Sequence, residues 1–256
     1  MNVVHSLGSR LAIVPSRLTA TTIVGRAVLA GIVGGLGTAL FLALVGESSI
    51  RAAIAVEESN RAPTSGAAAI TDVSRGVQVA GGLVAVVLFG ILNGIIFGTV
   101  LATIRHRIAL ADDLRRSLLL AGVGFVSVAV LPAVKYPANP PGVGDPNTIT
   151  TRTVAYLTLL AASLALVTCC ALIYRRLHSR LDQPSAIVVT TLVAVVGYVL
   201  LGVLWPQSPD QVPTTFPADL LWRFRLESLA ALLIQWAALG LGTGWLLTRF
   251  PETAGQ

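Results

Sequence analysis

Val77-Gln78-Val79-Ala80-Gly81-Gly82-Leu83-Val84-Ala85-Val86-Val87-Leu88-Phe89-Gly90-Ile91-Leu92-Asn93-Gly94-Ile95-Ile96-Phe97-Gly98-Thr99-Val100-Leu101-Ala102-Thr103-Ile104 runs for 28 residues without a charged side chain. A helix rises about 1.5 Å per residue, so this run crosses a hydrocarbon core of ~30 Å with length to spare. Five more uncharged runs flank it: Ala27–Gly46, Ser117–Val134, Val154–Tyr174, Ser185–Leu204 and Ser228–Leu247. The segments between them carry nearly all the charge. A β-barrel would alternate apolar and polar residues over short stretches, and these runs are continuous. The expected fold class is all-α: a polytopic membrane helix bundle of six transmembrane helices, with three longer outer loops and both termini cytoplasmic.

Composition agrees. The chain is 54% apolar and 12% charged, with a mean hydropathy of +0.79, against about 25% charged residues in a soluble domain. The first run is read as a retained span. The stretch ahead of it is longer than a signal-peptide n-region, holds Arg10, Arg17 and Arg26, and leads to no clear small-x-small cleavage site. The domain reading is a cytoplasmic segment 1–26, one transmembrane domain 27–248 and a short cytoplasmic tail 249–256.

Basic residues near span ends set orientation. With the amino end inside, 11 arginines fall on the cytoplasmic side, including Arg105, Arg107, Arg115, Arg116, Arg175, Arg176 and Arg180 in two short loops. Seven basic residues fall outside, together with eight of the 12 acids, among them Glu47, Glu57, Glu58, Asp145, Asp210, Asp219 and Glu227. The net charge of +6 thus becomes an inner basic face, which needs no nucleic-acid partner.

Much chemistry is excluded. The only lysine, Lys135, lies in a proline-rich context and not in a phosphate-binding loop. No G-x-S-x-G elbow, H-E-x-x-H pair or C-x-x-C pair occurs. Cys169 and Cys170 are adjacent and read as packing thiols; His5, His106 and His178 all fall on the cytoplasmic side. No enzymatic activity and no resident cofactor are expected.

Small residues recur every fourth position in the first span (Ala27, Gly31, Gly35, Ala39, Ala43), the second (Gly90, Gly94, Gly98) and the sixth (Gly240, Gly244). Such seams let helix backbones approach closely in lipid. Asn93 and Gln235 are polar at bilayer depth. They serve interhelical hydrogen bonding or, on the sharper reading, offer oxygens to a passing ion.

The outer segments hold the remaining candidates. Ile50, Ala53, Ile54 and Glu57 share a helical face, with Glu58 beside it. The cord Lys135-Tyr136-Pro137-Ala138-Asn139-Pro140-Pro141-Gly142-Val143-Gly144-Asp145-Pro146 cannot be helical. It must therefore sit at a bilayer face or line a polar cavity. Asp145 before Pro146 has the form of a helix N-cap with proline following. The third segment ends in Asp219, Arg223 and Glu227 at four-residue spacing, a ladder expected to staple the start of the last helix. Trp205 and Trp222 mark the outer interface.

Val73-Ser74-Arg75-Gly76-Val77-Gln78, the block from Lys135 through Arg152-Thr153, and Phe216-Pro217-Ala218-Asp219-Leu220-Leu221-Trp222-Arg223-Phe224-Arg225 closely resemble the CbtA family of predicted cobalt transporter subunits. The Ala-Gly seam after Arg26 and the Glu57-Glu58 stretch fit it too, so the resemblance runs from about Arg26 to Leu247. It implies a multi-pass protein of the prokaryotic plasma membrane, linked to cobalamin metabolism, that imports Co²⁺. It also implies a partner, a small single-span CbtB-like subunit with a histidine-rich tail. Under this reading Glu57, Glu58 and Asp145 gather the ion, Tyr136 and Asn139 add neutral oxygens, Asp219 and Glu227 are held by arginines, and Asn93 and Gln235 lie deeper. The alternative is a non-transporting scaffold or regulatory subunit of a larger membrane complex.

Overall fold

The computed structural model describes residues 18–60, 74–210 and 212–250. The start of the amino-terminal segment (1–17), the second half of the first outer segment (61–73) and most of the tail (251–256) lie outside the described residues. Among the described residues every regular element is helical, and six helical segments are long and apolar enough to cross a membrane.

The first crossing is one continuous helical stretch of 41 residues, Ala20–Asn60. It comprises α1 (Ala20–Phe41), a π-helical turn (Leu42–Gly46) and α2 (Glu47–Asn60). At 1.5 Å per residue it is about 60 Å long, twice the hydrocarbon thickness. α2 is therefore the first outer segment carried on as helix, not a separate element. A π turn takes in one extra residue, which shifts the helix phase. The buried seam of α1 (Ala27, Gly31, Gly35, Ala39) accordingly continues as Gly46, Ser49 and Ala53.

α3 (Arg75–Ile104) returns antiparallel to α1, and the predicted glycine seams are their contact. A β-carbon on Gly94 would sit 2.6 Å from the Ala27 carbonyl oxygen and 2.8 Å from Val28 Cα; one on Gly90 would collide with the Gly31 carbonyl. Only a missing side chain allows backbones this close.

The third crossing is α4 (Asp113–Gly124), a second π turn (Phe125–Val130) and α5 (Leu131–Lys135). It is followed by α6 (Ile149–His178), α7 (Gln183–Leu204) and α8 (Ala218–Arg249). α8 is central, packed between α1 and α4. Gly244 admits Leu114 and Ser117 of α4, and the Trp236 ring of α8 lies flush on Gly124.

The α6–α7 hairpin is peripheral and docks through the second π turn. Ser163 Oγ donates to the Ser127 carbonyl at 2.9 Å, and Ser127 Oγ shares a 2.6 Å hydrogen bond with Tyr198 Oη. Both hydrogen bonds engage Ser127, within the π turn Phe125–Val130. α7 buries almost nothing within the chain, leaving residues such as Val188, Leu192, Val195 and Val199 to lipid.

The two ends differ. At one end Asp113 pairs with Arg105 and Arg116, both at 2.9 Å, and Arg26 donates to the Leu246 carbonyl at 3.1 Å. That last bond sets the start of α1 beside the end of α8. The opposite end carries the three long connectors.

Candidate functional site at the connector end

The three connectors meet. Ala53 of α2, Val143 of the cord, Phe216 of the third connector, and Leu220 and Leu221 of α8 form one buried apolar cluster. The cord can press against α2 because Gly142 adopts φ +79°, a conformation L side chains rarely take. Its Cα hydrogens face Glu57, whose Cβ would lie 3.1 Å from any added β-carbon.

A polar chain runs across this cluster. Asp210, its side chain 4% exposed, accepts from Arg152 at 2.9 Å, Thr148 at 2.9 Å and Asn139 at 3.2 Å. The Asn139 carbonyl in turn accepts from Arg225 at 3.3 Å. The third connector, α6, the cord and α8 are thereby tied in series. Lys135 donates to the Gly202 carbonyl at 3.0 Å, placing a cation at the carboxyl end of α7, where the helix dipole favours it. Tyr136 Oη donates to the Pro206 carbonyl at 2.8 Å, and burial raises the phenol pKa above its ordinary value.

Each predicted site residue can now be placed. Asp145 is exposed, and its Oδ1 accepts from the Asn147 backbone at 2.8 Å, so it caps the 3₁₀ turn Pro146–Thr148 that leads into α6. Asn139 and Tyr136 spend their polar atoms on the connector network. Glu57 is half-buried against the cord, and Glu58 is exposed at the end of α2. Asn93 is half-buried on α3, beside the glycine seam.

Asp219, Arg223 and Glu227 differ from expectation. No ion pair joins Arg223 to either acid among the described residues. Residues four apart drift by about 40° around a helix, so Asp219 and Arg223 face out while Glu227 has turned into the bundle, 8% exposed. Gln235, eight residues further along α8, is 3% exposed.

The structure therefore gathers Glu57, Tyr136, Asn139 and Asp145 at one end and buries Glu227 and Gln235 along α8. No group of three or more His, Cys, Asp or Glu side chains could hold a metal among the described residues. Sequence reasoning missed Asp210, the hub of the connectors. Its only signal is position, an acid following Pro209 in a connector already rich in proline.

A helical bundle with six crossings, lipid-facing apolar surfaces and a folded polar collar at one end is a multi-pass membrane protein. Residues 20–248 match the family described as a probable cobalt transporter subunit, CbtA. The chain belongs to the CbtA family. No curated protein and no solved structure matches it.

Proposed function

We propose that this chain is the membrane-embedded subunit through which Co²⁺ enters a prokaryotic cell. The match to a cobalt transporter subunit family over residues 20–248 carries this reading. The meeting of all three connectors at one end supports it, because a capture site needs them on one side of the bilayer. The arginine-rich end faces the cytoplasm, as the distribution of basic residues favours. At the outer end Glu57, Glu58 and Asp145 supply the negative charge that concentrates divalent cations, with Asp219 on the rim. Oxygen ligands bind Co²⁺ weakly and exchange it readily, which suits passage.

Firm capture belongs to a companion. Cobalt prefers imidazole to oxygen, and a single-span, CbtB-like subunit with a histidine-rich tail would deliver the ion to the collar. Being a subunit implies partner chains.

The test is radiolabelled Co²⁺ uptake by cells carrying the companion and either wild type or the Glu57→Gln/Asp145→Asn double variant. Asparagine caps a helix about as well as aspartate, so the turn into α6 stays intact while the charge is lost. Uptake should fall to background. Wild-type uptake at normal membrane abundance excludes this capture site, and unchanged uptake on deleting the whole chain favours the scaffold role.

A further inference from the structure

We infer a cation site within the bundle, where Glu227 of α8 faces the π turn Leu42–Gly46. This deepens the transport reading and rests on it only for the identity of the ion.

Four observations converge. First, α1 and α8 hold a well-defined antiparallel register. Arg26 meets the Leu246 carbonyl, a β-carbon on Gly242 would lie 3.0 Å from Ala30 Cβ, and Thr38 Oγ1 donates to the Ala231 carbonyl at 3.2 Å. Four residues outward from that last bond bring Leu42 level with Glu227. Seven residues inward from Ala53 and Leu220, which share the outer cluster, bring Gly46 level with Glu227. The π turn packs against α8, so both counts set Glu227 beside it. Second, Glu227 is 8% exposed and its Oε2 has no hydrogen-bond partner. A lone carboxylate in such a place is costly and marks function in membrane proteins.

Third, α8 also buries Gln235 and Thr243, 3% and 0% exposed, on successive faces turned by about 80° from one another, and Ser117 of α4, also 0% exposed, packs beside Gly244. Gln235 Nε2, Thr243 Oγ1 and Ser117 Oγ are likewise unpartnered. Most buried polar atoms in proteins find partners, and the unpaired carboxylate oxygen of Glu227 is the kind of exception that a cation satisfies. Fourth, Gly34 is kept bare where α1 meets the next buried polar side chain of α8: a β-carbon there would lie 3.0 Å from Gln235 Nε2.

Glu227, Gln235 and Thr243 are spaced eight residues apart, roughly 12 Å per step and about 24 Å in all. They cannot chelate one ion together. Glu227 supplies the carboxylate of the site, with the π turn adding backbone carbonyls beside it, as irregular backbone does in other transporters. Conduction requires sites attractive enough to enter and weak enough to leave. The occupant is a partly hydrated divalent cation.

Equilibrium dialysis of radiolabelled Co²⁺ against the full chain in lipid nanodiscs tests this. Wild type should bind, Glu227→Gln should bind at least about tenfold more weakly because ligand charge sets cation affinity, and Arg223→Gln, on the exposed face, should match wild type. Equal affinity in wild type and Glu227→Gln overturns the site, as does absence of binding by wild type. If Glu227→Gln fails to assemble, paramagnetic Co²⁺ broadening decides on the wild-type chain. Strongest broadening at the Ala231 methyl supports the site; strongest broadening at Ala138 in the cord, or none, overturns it. Binding at Glu227 with no cobalt uptake by the complete assembly would instead overturn the transport reading and leave the site standing.

Discussion

Asp210 holds the collar through one carboxylate that satisfies Arg152, Thr148 and Asn139. Removing it leaves a guanidinium and an amide facing each other without an acceptor. Arg152 keeps some water access, its side chain being 31% exposed. Asp210→Ala should therefore cost on the order of 2–4 kcal/mol, somewhat less than a fully buried pair, and Asp210→Asn less, since its carbonyl still accepts. Thermal unfolding of the two variants in detergent checks the ranking; Asp210→Ala melting with wild type contradicts it. A second prediction concerns Asp182, which caps α7 by accepting from the Ser185 amide at 3.3 Å. The Ser185 hydrogen bonds lower its pKa below the ordinary aspartate value of 3.8. Its contribution is accordingly present above that value and lost as pH falls through the depressed one. Amide exchange at Ser185 should accelerate across that acid range in wild type, and be fast and pH-flat, after correction for intrinsic exchange, in Asp182→Ala. At this scale the sequence is legible where a residue acts on its own neighbours, as Asp145 does on Asn147. Asp210 acts on residues 58 to 71 positions away, which no local pattern records.

At the scale of elements, the six apolar runs translate into six crossings because length and lack of charge are properties of contiguous sequence. The small-residue seams are legible too, as faces that must approach something. Their partners are not: the spacing of Gly90, Gly94 and Gly98 does not say that α1 will fill the groove. The two π turns are equally invisible, since one inserted residue leaves hydropathy unchanged. The α1–α3 seam gives a paired prediction. Gly94→Ala drives a methyl into the Ala27 and Val28 backbone and should destabilise by about 1–3 kcal/mol, the usual cost of overpacking. Gly81 and Gly82, on the same helix, have nothing within 4 Å of an added β-carbon. Alanine there should be neutral or stabilising by up to ~1 kcal/mol through helix propensity. Thermal unfolding that lowers the melting point equally for all three would show that the seam is not a close contact.

At the scale of the molecule, the connectors' shared location was foreseeable from charge and proline content, whereas their mode of joining was not. Carboxylates were expected to converge. Instead, apolar side chains and the Asp210 network close the collar, and the buried acid Glu227 is carried inward by the drift of α8. On the proposed reading, charge is divided between an outer rim that attracts cations and the buried Glu227 on the central helix. The central claim is that this assembly moves cobalt. Proteoliposomes containing the chain and its histidine-tailed companion should accumulate radiolabelled Co²⁺ from outside with time, to a level that ionophore releases. Accumulation no greater than in protein-free liposomes, with both subunits present and folded, would contradict the account.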